Sequence, residues 1–524
     1  MMKVYLYDTT LRDGAQAEGI NYTVSDKLKI ARKLIAFGID YLEGGWPGAN
    51  PKDLEFFQEA KKLDFNKTKL AAFGSTRHPR LKVKDDPNLL NLIKSEAPVV
   101  TVFGKSWDLH VESALATTLE NNLLMVYETV AFLKEVGREV VFDAEHFFDG
   151  FKNNPEYALK VIEQAARAGA DFIVLCDTNG GSLPKEIRAG VEAALKIHPR
   201  IGIHAHNDSE LAVANSLIAV ETGATMVQGT INGYGERCGN ANLCSVIPNL
   251  ILKMGVEVNC QDNLKNLTRL SRYVSEIANL HPNPYQPYTG QSAFTHKGGV
   301  HASALLKDKG TYEHIPPELV GNHRKVSISD QAGVSNLLFN SENLGLSEEE
   351  VKTYGKELVA AIKAMEHQGY QFEGAEASLE LLVRKVTGKL SEPFKIDNSK
   401  LIIEIKEDGR VLSEAVVKVR VGDTTIHTAS DGNGPVNALD NALRKALLEI
   451  YPNLSELKLT DYKVRVLNEK AGTEAVVRVL IESSAGEKSI NTVGVSTNII
   501  EASLKALTDS LIYFLINNNE GTVS

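Results

Sequence analysis

This sequence of 524 residues lacks the features of several protein classes. No run of about 18 apolar residues is present, which argues against a membrane span or a membrane partner. The net charge of −10 argues against nucleic-acid binding, which usually requires a basic surface. Its four cysteines form no CxxC pair, which argues against a disulfide framework or a zinc cluster. The start runs into an apolar strand without a signal-peptide pattern, so we expect a cytoplasmic protein with reduced thiols.

What is present is the composition of an ordinary globular protein, with 43% apolar and 24% charged residues. At about 150 residues per domain, the length is enough for two to four domains. We predict three regions, which are a barrel over residues 1–280, linker subdomains over 281–390, and a regulatory or dimerisation domain over 391–524.

The first region alternates short apolar segments with amphipathic helical segments. Eight such repeats over about 250 residues predict an α/β fold with a (β/α)8 TIM barrel. A doubly wound open sheet is the alternative, but no G-x-G-x-x-G motif follows the first strand. The predicted strands are Val4–Tyr7, Tyr41–Gly44, Leu70–Phe73, Val99–Phe103, Val140–Asp143, Phe172–Cys176, Ile201–His204 and Thr225–Gly229.

The clearest helix of the barrel region is predicted over Ser25–Phe37. Leu28 and Ala31 belong to an apolar face that repeats at helical spacing. We predict that Ser25 is the N-cap of this helix and that Gly38 ends it.

The composition changes after residue 280, where residues 281–288 contain three prolines. Such a segment is typical of an irregular excursion from a compact fold. We predict that helical linker subdomains follow, up to about residue 390. Their clearest helices are Ser347–Met365 and Ala375–Val386.

The last region contains an internal repeat. Residues 414–421 (EAVVKVRV) recur as residues 474–481 (EAVVRVLI), which is an offset of 60 (474 − 414 = 60). The helical pattern of residues 442–447 recurs at residues 502–507, with the same offset. We therefore predict a C-terminal α+β domain made of two similar units. Ligand sensing or dimerisation is its expected role, and a purely structural appendage is the alternative.

The strongest chemical signal is a pair of histidines, His204 and His206, at the end of the seventh predicted strand. Side chains at positions i and i+2 of a strand point to the same face. Asp13 follows the first strand, and strands seven, eight and one are neighbours once the barrel closes. Two imidazoles and one carboxylate suit Mg, Mn, Zn or Fe, with positions left for a substrate. Asn240, in the glycine-rich loop after strand eight, is a further candidate ligand, although that loop could be an ordinary turn.

Arg12 precedes the candidate ligand Asp13. A guanidinium at this position can stabilise the alkoxide that forms when a carbonyl is attacked. The alternative for Arg12 is a structural ion pair with Glu43 or Glu145. Other polar residues cluster at predicted strand ends, namely Asp143, Asp177, Thr178, Gln228 and Asn232.

Four motifs in this order resemble the family of isopropylmalate, homocitrate and citramalate synthases. They are residues 7–14 (YDTTLRDG), 204–208 (HAHND), 233–241 (GYGERCGNA) and 494–502 (GVSTNIIEA). The resemblance covers nearly the whole chain. Residues 13–19 (DGAQAEG), 43–48 (EGGWPG) and 370–378 (YQFEGAEAS) are most similar to the citramalate branch. Ala15 stands where isopropylmalate synthases more often have Glu.

The resemblance implies condensation of acetyl-CoA with pyruvate to give (R)-citramalate and CoA, as an entry to isoleucine synthesis. It further implies a divalent metal ion (Mg, Mn or Zn), a homodimer with shared active sites, and isoleucine as feedback inhibitor at the C-terminal domain. A sister synthase that makes 2-isopropylmalate or homocitrate from a larger keto acid is the alternative. A retro-aldol lyase and an inactive amino-acid-binding barrel are two others, which the C-terminal repeat and the intact polar cluster respectively disfavour.

The resemblance also implies roles for individual residues. Asp13, His204, His206 and Asn240 match the metal-binding positions, and Arg12 matches the residue that polarises the keto oxygen. Glu145 and Thr178 match positions that contact the substrate, and we predict the same for Asp143. His301 and Tyr312 match residues that a neighbouring subunit brings to the active site.

The small size of pyruvate and the proton on acetyl-CoA lead to two further expectations. Bulky apolar groups should line the keto-acid pocket, and each excluded methylene is worth about 1–3 kcal/mol. We predict that His301 with Tyr312 takes the methyl proton of acetyl-CoA, and that Glu145 also takes part in catalysis.

Overall fold

The computed structural model describes residues 2–467, 474–486 and 488–518. The chain folds into two compact units. The first contains residues up to 294 together with residues 315–323, and the second contains residues 295–314 together with the chain from residue 324 onward. Within the described ranges, no helix is long and apolar enough to cross a membrane.

The first unit is built around a closed barrel of parallel strands. Strands β1–β8 are Tyr5–Asp8, Tyr41–Gly45, Lys69–Ser75, Val99–Lys105, Glu139–Glu145, Phe172–Asp177, Ile201–Ala205 and Met226–Gly229. They pair in chain order, and β8 closes the barrel by pairing with β1, where Tyr7 lies opposite Gln228. The predicted (β/α)8 barrel is therefore confirmed, and the open sheet is excluded.

Alternation along the strands separates two apolar layers, because successive side chains of a strand point to opposite faces. Leu6 of β1 and Val100 of β4 belong to the large buried cluster under the helices. Their strand neighbours Tyr7 and Val99 belong to a second cluster inside the barrel, with Tyr41, Ala71, Val141, Phe172, Val174, Cys176 and Met226. Residues two or four positions further along these strands therefore also face the interior, nearer its C-terminal end.

The helices of the first unit surround this barrel. Helices α1–α11 are Val24–Phe37, Pro51–Ala60, Pro87–Lys94, Asp108–Ser113, Leu119–Glu135, Phe147–Asn153, Pro155–Arg167, Pro184–Leu195, Ala212–Thr222, Leu243–Pro248 and Leu267–Ile277.

The N-cap of α1 lies two residues before the predicted one (25 − 23 = 2). Its N-cap is Thr23, whose side chain accepts a hydrogen bond from the backbone N–H of Asp26, while the Asp26 carboxylate accepts one from Thr23. This reciprocal pair is a capping box, and it explains why Ser25 lies inside the helix. Gly38 ends the helix in the left-handed conformation, as predicted.

The second unit contains the remaining elements. Helices α12–α17 are Gly299–Lys307, Val334–Phe339, Glu348–His367, Glu376–Val386, Pro435–Leu447 and Ile499–Asn518. Strands β9–β16 are Thr295–His296, Lys325–Val326, Lys395–Ile405, Val411–Val421, Thr424–Gly432, Lys458–Val466, Val477–Ala485 and Lys488–Ser496. The two predicted helices correspond to α14, which is capped by Ser347, and to α15.

The predicted repeat has the form of two successive βββα copies. The antiparallel sheet β11-β12-β13 is followed by α16, and the sheet β14-β15-β16 is followed by α17. Side chains tie α15 to the second copy. Ser378 Oγ donates to Asp509 Oδ2 at 2.7 Å, and Tyr513 Oη donates to Glu380 Oε2 at 2.8 Å.

Candidate active site

The three side chains predicted as metal ligands meet at one end of the barrel. Asp13 lies five residues after β1, His204 lies in β7, and His206 directly follows that strand. His204 Nε2 is 3.2 Å from His206 Nε2 and 3.4 Å from Asp13 Oδ2. All three residues are buried, and one ligand atom from each lies within 4.8 Å of the others. Three donor groups therefore converge on one point that is shielded from bulk water.

The donor atoms around this point fit a divalent cation. Asp13 Oδ2, His206 Nδ1 and Asn240 Oδ1 are buried without a hydrogen-bond partner, which is costly unless something binds there. Burial alone would raise the pKa of Asp13, but Arg12 and the two histidines outweigh it and hold that pKa below its ordinary value. Burial and the neighbouring His204 lower the pKa of His206 to about 3. The cluster therefore offers a carboxylate and neutral imidazole, which are the forms that coordinate metals.

Asn240 is positioned beside this cluster by the loop that follows β8. The backbone N–H of Asn207 donates to Gly239 O at 2.9 Å, and Asn240 Nδ2 donates to Tyr234 O at 3.2 Å. Gly239 has a φ of +87°, and a Cβ there would lie 1.9 Å from Gly233 O. Only glycine permits this close approach of the backbone, so the glycines of the loop serve to bring Asn240 to the cluster.

Arg12 lies next to the cluster and is held on three sides. Its Nη1 donates to Asp13 Oδ1 at 2.8 Å, and its Nε donates to Glu43 Oε1 at 2.7 Å. The centre of the guanidinium lies 3.7 Å from the centroid of the Phe73 ring. Burial opposes the charge of Arg12, but Asp13 and Glu43 outweigh it and raise the pKa of the guanidinium. The result is a fixed cation at the position predicted to stabilise an alkoxide. The ion pair of Arg12 with Glu43 is part of that arrangement.

A buried hydrogen-bond network supports Glu43 from below. Tyr7 Oη donates to Glu43 Oε2 at 2.7 Å and lies 2.6 Å from Thr101 Oγ1. Burial raises the pKa of Glu43, although Arg12 and Tyr7 oppose that rise. The network fixes the carboxylate that in turn orients Arg12.

A second buried chain of contacts reaches His204. Gln228 Nε2 donates to Asp143 Oδ1 at 3.0 Å, and Gln228 Oε1 lies 2.8 Å from His204 Nδ1. Burial, followed by the charge of Glu43, raises the pKa of Asp143 well above its ordinary value. Asp143 thus lies in the barrel interior behind the cluster, and its predicted contact with substrate stays a prediction.

Glu145 and Thr178 lie on the neighbouring strand ends. Glu145, the last residue of β5, forms an ion pair with Lys105, the last residue of β4, so its partner is not Arg12. Thr178 directly follows β6, and its Oγ1 accepts a hydrogen bond of 2.8 Å from the backbone N–H of His146. Because the oxygen already accepts, the hydroxyl proton of Thr178 can be donated to a ligand. Both substrate-contact roles stay predictions.

Three aromatic side chains, here called the aromatic wall, stand beside Arg12. Phe73 and Phe103 stack with centroids 5.4 Å apart, and Trp46 packs edge-on against both, at 5.8 and 5.5 Å. Sequence reasoning predicted bulky apolar groups around the keto acid but named no residues for that role. The alternation of side chains along each strand could have identified them. Phe73 lies two residues beyond the inward-facing Ala71, and Phe103 lies four beyond the inward-facing Val99.

His301 and Tyr312 belong to the second unit. Their rings stack with centroids 4.1 Å apart and an interplanar angle of 28°. His301 lies in α12 rather than in an irregular loop, and Tyr312 is 44% exposed. The structure therefore brings these two residues together, and their delivery to an active site by a neighbouring subunit stays a prediction.

Comparison with known families divides the chain into three matched segments. Residues 3–274 match the HMGL-like family, and residues 288–370 match the homocitrate synthase post-HMGL domain-like family. Residues 373–515 match the LeuA allosteric (dimerisation) domain. The first match contains the barrel and the whole cluster around Asp13, and the last contains the two βββα copies except for the final three residues of α17 (518 − 515 = 3).

Comparison with curated proteins finds relatives along the whole length. The (R)-citramalate synthase of Aquifex aeolicus is 58% identical, with 99% of both chains covered. The (R)-citramalate synthase of Geobacter sulfurreducens is 53% identical, again with 99% of both covered. The 2-isopropylmalate synthase of Methanocaldococcus jannaschii is 31% identical over 97% of this chain and 94% of its own. The chain therefore belongs to the HMGL-like family and, within it, to the (R)-citramalate synthases, which are condensing enzymes of the acyltransferase type.

Proposed function

We propose that this protein condenses acetyl-CoA with pyruvate and water to give (R)-citramalate and CoA. The observation that carries this function is the buried convergence of Asp13, His204 and His206 beside Arg12. The names of the full-length relatives support pyruvate over the larger keto acids of 2-isopropylmalate or homocitrate synthesis. The complete cluster also argues against an inactive binding barrel.

In this proposal Asp13, His204 and His206 hold a divalent metal ion, with Asn240 as a further ligand, directly or through water. When bound, the ion supplies a Lewis acid that polarises the keto group. The unpartnered oxygens of Asp13 and Asn240 support this assignment. Mg, Mn and Zn each accept ligands of these types.

Arg12 stabilises the negative charge that develops on the keto oxygen when C2 of pyruvate is attacked. Its contacts with Glu43 and Phe73 hold the guanidinium in place before the reaction. A donor that is already oriented costs little reorganisation as the charge develops. Thr178, whose hydroxyl is available as a donor, binds the pyruvate carboxylate. Asp143 also contacts the substrate in this proposal, from the barrel interior.

The reaction also needs a base. Removal of a proton from the methyl group of acetyl-CoA gives the nucleophile, which forms the new carbon–carbon bond to C2 of pyruvate. The keto oxygen then takes up a proton, and water cleaves the thioester to release CoA. We assign the base to His301 with Tyr312 from the neighbouring subunit of a homodimer, supported by their stacking. Glu145, which is paired with Lys105, contacts the substrate and takes part in catalysis in this proposal.

The aromatic wall limits the size of the keto acid. Pyruvate carries only a methyl group beyond its keto carbon, whereas 2-ketoisovalerate carries an isopropyl group. In this proposal the packed rings next to Arg12 exclude such branches. The wall therefore favours pyruvate, within the discrimination of about 1–3 kcal/mol that one methylene provides.

The C-terminal region serves regulation in this proposal. The match to an allosteric dimerisation domain over residues 373–515 supports both feedback control and a homodimer. Isoleucine is the inhibitor we propose, because citramalate provides an entry to isoleucine synthesis. A biosynthetic role of this kind suits a cytoplasmic enzyme.

One assay tests the function directly. The protein is mixed with Mg or Mn, acetyl-CoA and either pyruvate, 2-ketoisovalerate or 2-ketoglutarate, and thiol release is followed. We expect pyruvate to give the highest kcat/KM. A larger acid as the best substrate would replace the proposal by a sister synthase, and no thiol release with any acid would refute it. The matched variant Asp13→Asn, which keeps the size of the side chain, should lose turnover while remaining folded.

A further inference from the structure

A chain of three buried side chains crosses the barrel interior from β5 through β8 to β7. Gln228 bridges Asp143 and His204, at 3.0 and 2.8 Å respectively. Gln228 is 0% exposed, Asp143 3% and His204 6%. Because solvent is excluded, the partners of each polar atom are set by these contacts and not by exchange with water.

The direction of the hydrogen bonds along this chain is set by the orientation of the Gln228 amide. Its Nε2 donates to Asp143 Oδ1, and this oxygen remains an acceptor when the other carboxyl oxygen is protonated. The carbonyl oxygen of Gln228 is thereby turned toward His204 Nδ1. A carbonyl oxygen only accepts, so Nδ1 of His204 must carry the proton.

The other ring nitrogen of His204 then has the free lone pair. That nitrogen, Nε2, is the one that lies 3.4 Å from Asp13 Oδ2 and 3.2 Å from His206 Nε2. The tautomer imposed by the chain of contacts is therefore the tautomer that can donate electrons toward the point where the three side chains converge.

We propose that Gln228 is a positioning residue that holds His204 in the Nδ1–H tautomer with its Nε2 lone pair directed at the metal position, and that Asp143 sets the orientation of Gln228. This inference rests on the metal site of the proposed function. Metal-binding histidines commonly donate their second ring N–H to a fixed acceptor, and loss of that acceptor costs about 10- to 100-fold in metal affinity.

A simpler explanation is that Gln228 only fills space. It lies opposite Tyr7 in the barrel register, in a layer where an apolar side chain of equal length could pack. The two explanations differ in the effect of Gln228→Met, which conserves length and volume but removes the amide. Asp143 provides a second, independent comparison, because Asp143→Asn keeps the acceptor for the Gln228 amide and Asp143→Leu removes it.

The test measures Mn²⁺ affinity of the full-length protein, after removal of bound metal with EDTA, from the electron paramagnetic resonance signal of free Mn²⁺. Gln228→Met should bind about 10- to 100-fold more weakly than wild type. Asp143→Asn keeps an acceptor oxygen and should bind within about threefold of wild type. Asp143→Leu removes that acceptor, allows the amide of Gln228 to turn its NH2 toward His204, and should bind as weakly as Gln228→Met.

A second measurement reads the tautomer itself. In the metal-free wild type labelled with ¹⁵N-histidine, the nitrogen shifts of His204, assigned by their loss in His204→Gln, should report Nδ1–H. An Nε2–H form in wild type would overturn the inference, as would wild-type Mn²⁺ affinity in a folded Gln228→Met protein. A wild type that leaves all Mn²⁺ free would refute the metal site itself, and with it this inference, whereas unequal affinities among the variants require that the site exists.

Discussion

Opening the aromatic wall should let the enzyme accept larger keto acids. Phe103→Ala removes one ring of the wall, which lies 5.4 Å from Phe73 and 5.5 Å from Trp46. The space vacated exceeds that of a single methylene. Arg12 packs on Phe73, so its guanidinium keeps this contact in the variant.

The size of the expected change in kcat/KM follows from the number of substrate carbon atoms that the wild-type wall excludes. One methylene in an apolar pocket changes kcat/KM by about 10- to 200-fold, or 1–3 kcal/mol. For Phe103→Ala we therefore expect the ratio of kcat/KM for 2-ketobutyrate to that for pyruvate to rise at least about 10-fold. Thiol release with acetyl-CoA held at saturation measures this ratio, and general losses of activity cancel in it.

A contrasting variant is Phe73→Ala, because this ring is part of the wall and also supports the guanidinium of Arg12. A cation–π contact is worth about 0.5–2 kcal/mol, so this variant should lower kcat for every keto acid by roughly 2- to 30-fold. If Phe103→Ala stays folded by circular dichroism and keeps the wild-type substrate ratio, the aromatic wall does not select the keto acid.

Three further outcomes are expected. Arg12→Lys replaces a planar fork by a point charge and should lower kcat about 10²- to 10³-fold in steady-state assays; a loss under threefold would contradict its role as electrophile. Burial raises the pKa of Asp40 to about 6 from 3.8, although the backbone N–H of Leu6 opposes the rise. The folded chain therefore binds the proton of the Asp40 carboxyl more tightly than the unfolded chain does. Protonation of Asp40 adds about 3 kcal/mol at most to the free energy of unfolding. This contribution is present below pH 4 and is lost as the pH rises to about 6. Asp40→Asn keeps the acceptor for Leu6 and should raise the unfolding temperature more at pH 8 than at pH 4; equal shifts at both would refute the reasoning. Isoleucine should inhibit the full chain but not a truncation that ends near Gly388, and an equal response of the two would remove the regulatory assignment.

The convergence of Asp13, His204 and His206 could be predicted from sequence because it depends on two simple rules. Side chains two apart on a strand share a face, and in a parallel barrel all strand C-termini lie at the same end. Those rules need no side-chain detail. They also account for the success of the strand predictions, whose ends differ from the observed ones by only a few residues.

The parts that could not be predicted depend on pairing across the barrel. Phe73 and Phe103 look like core residues until the closed barrel brings them together beside Arg12. Gln228 was recognisable as a polar strand end, but its two partners lie 24 and 85 residues away in sequence, and only the closed barrel shows that it contacts both. The error at Ser25 arose locally, because two hydroxyl residues compete for the cap and only Thr23 has an acidic residue three positions later.

The repeat in the second unit is hydrogen-bonded to α15 through its later half. Its two halves share a common sequence pattern, yet Ser378 of α15 donates to α17, and Glu380 of α15 accepts from α17, which belongs to the later half. Rotation of the earlier half could leave these bonds intact, whereas displacement of the later half must either break them or drag α15 along. The two copies therefore differ in what their movement requires of α15, although their sequences match.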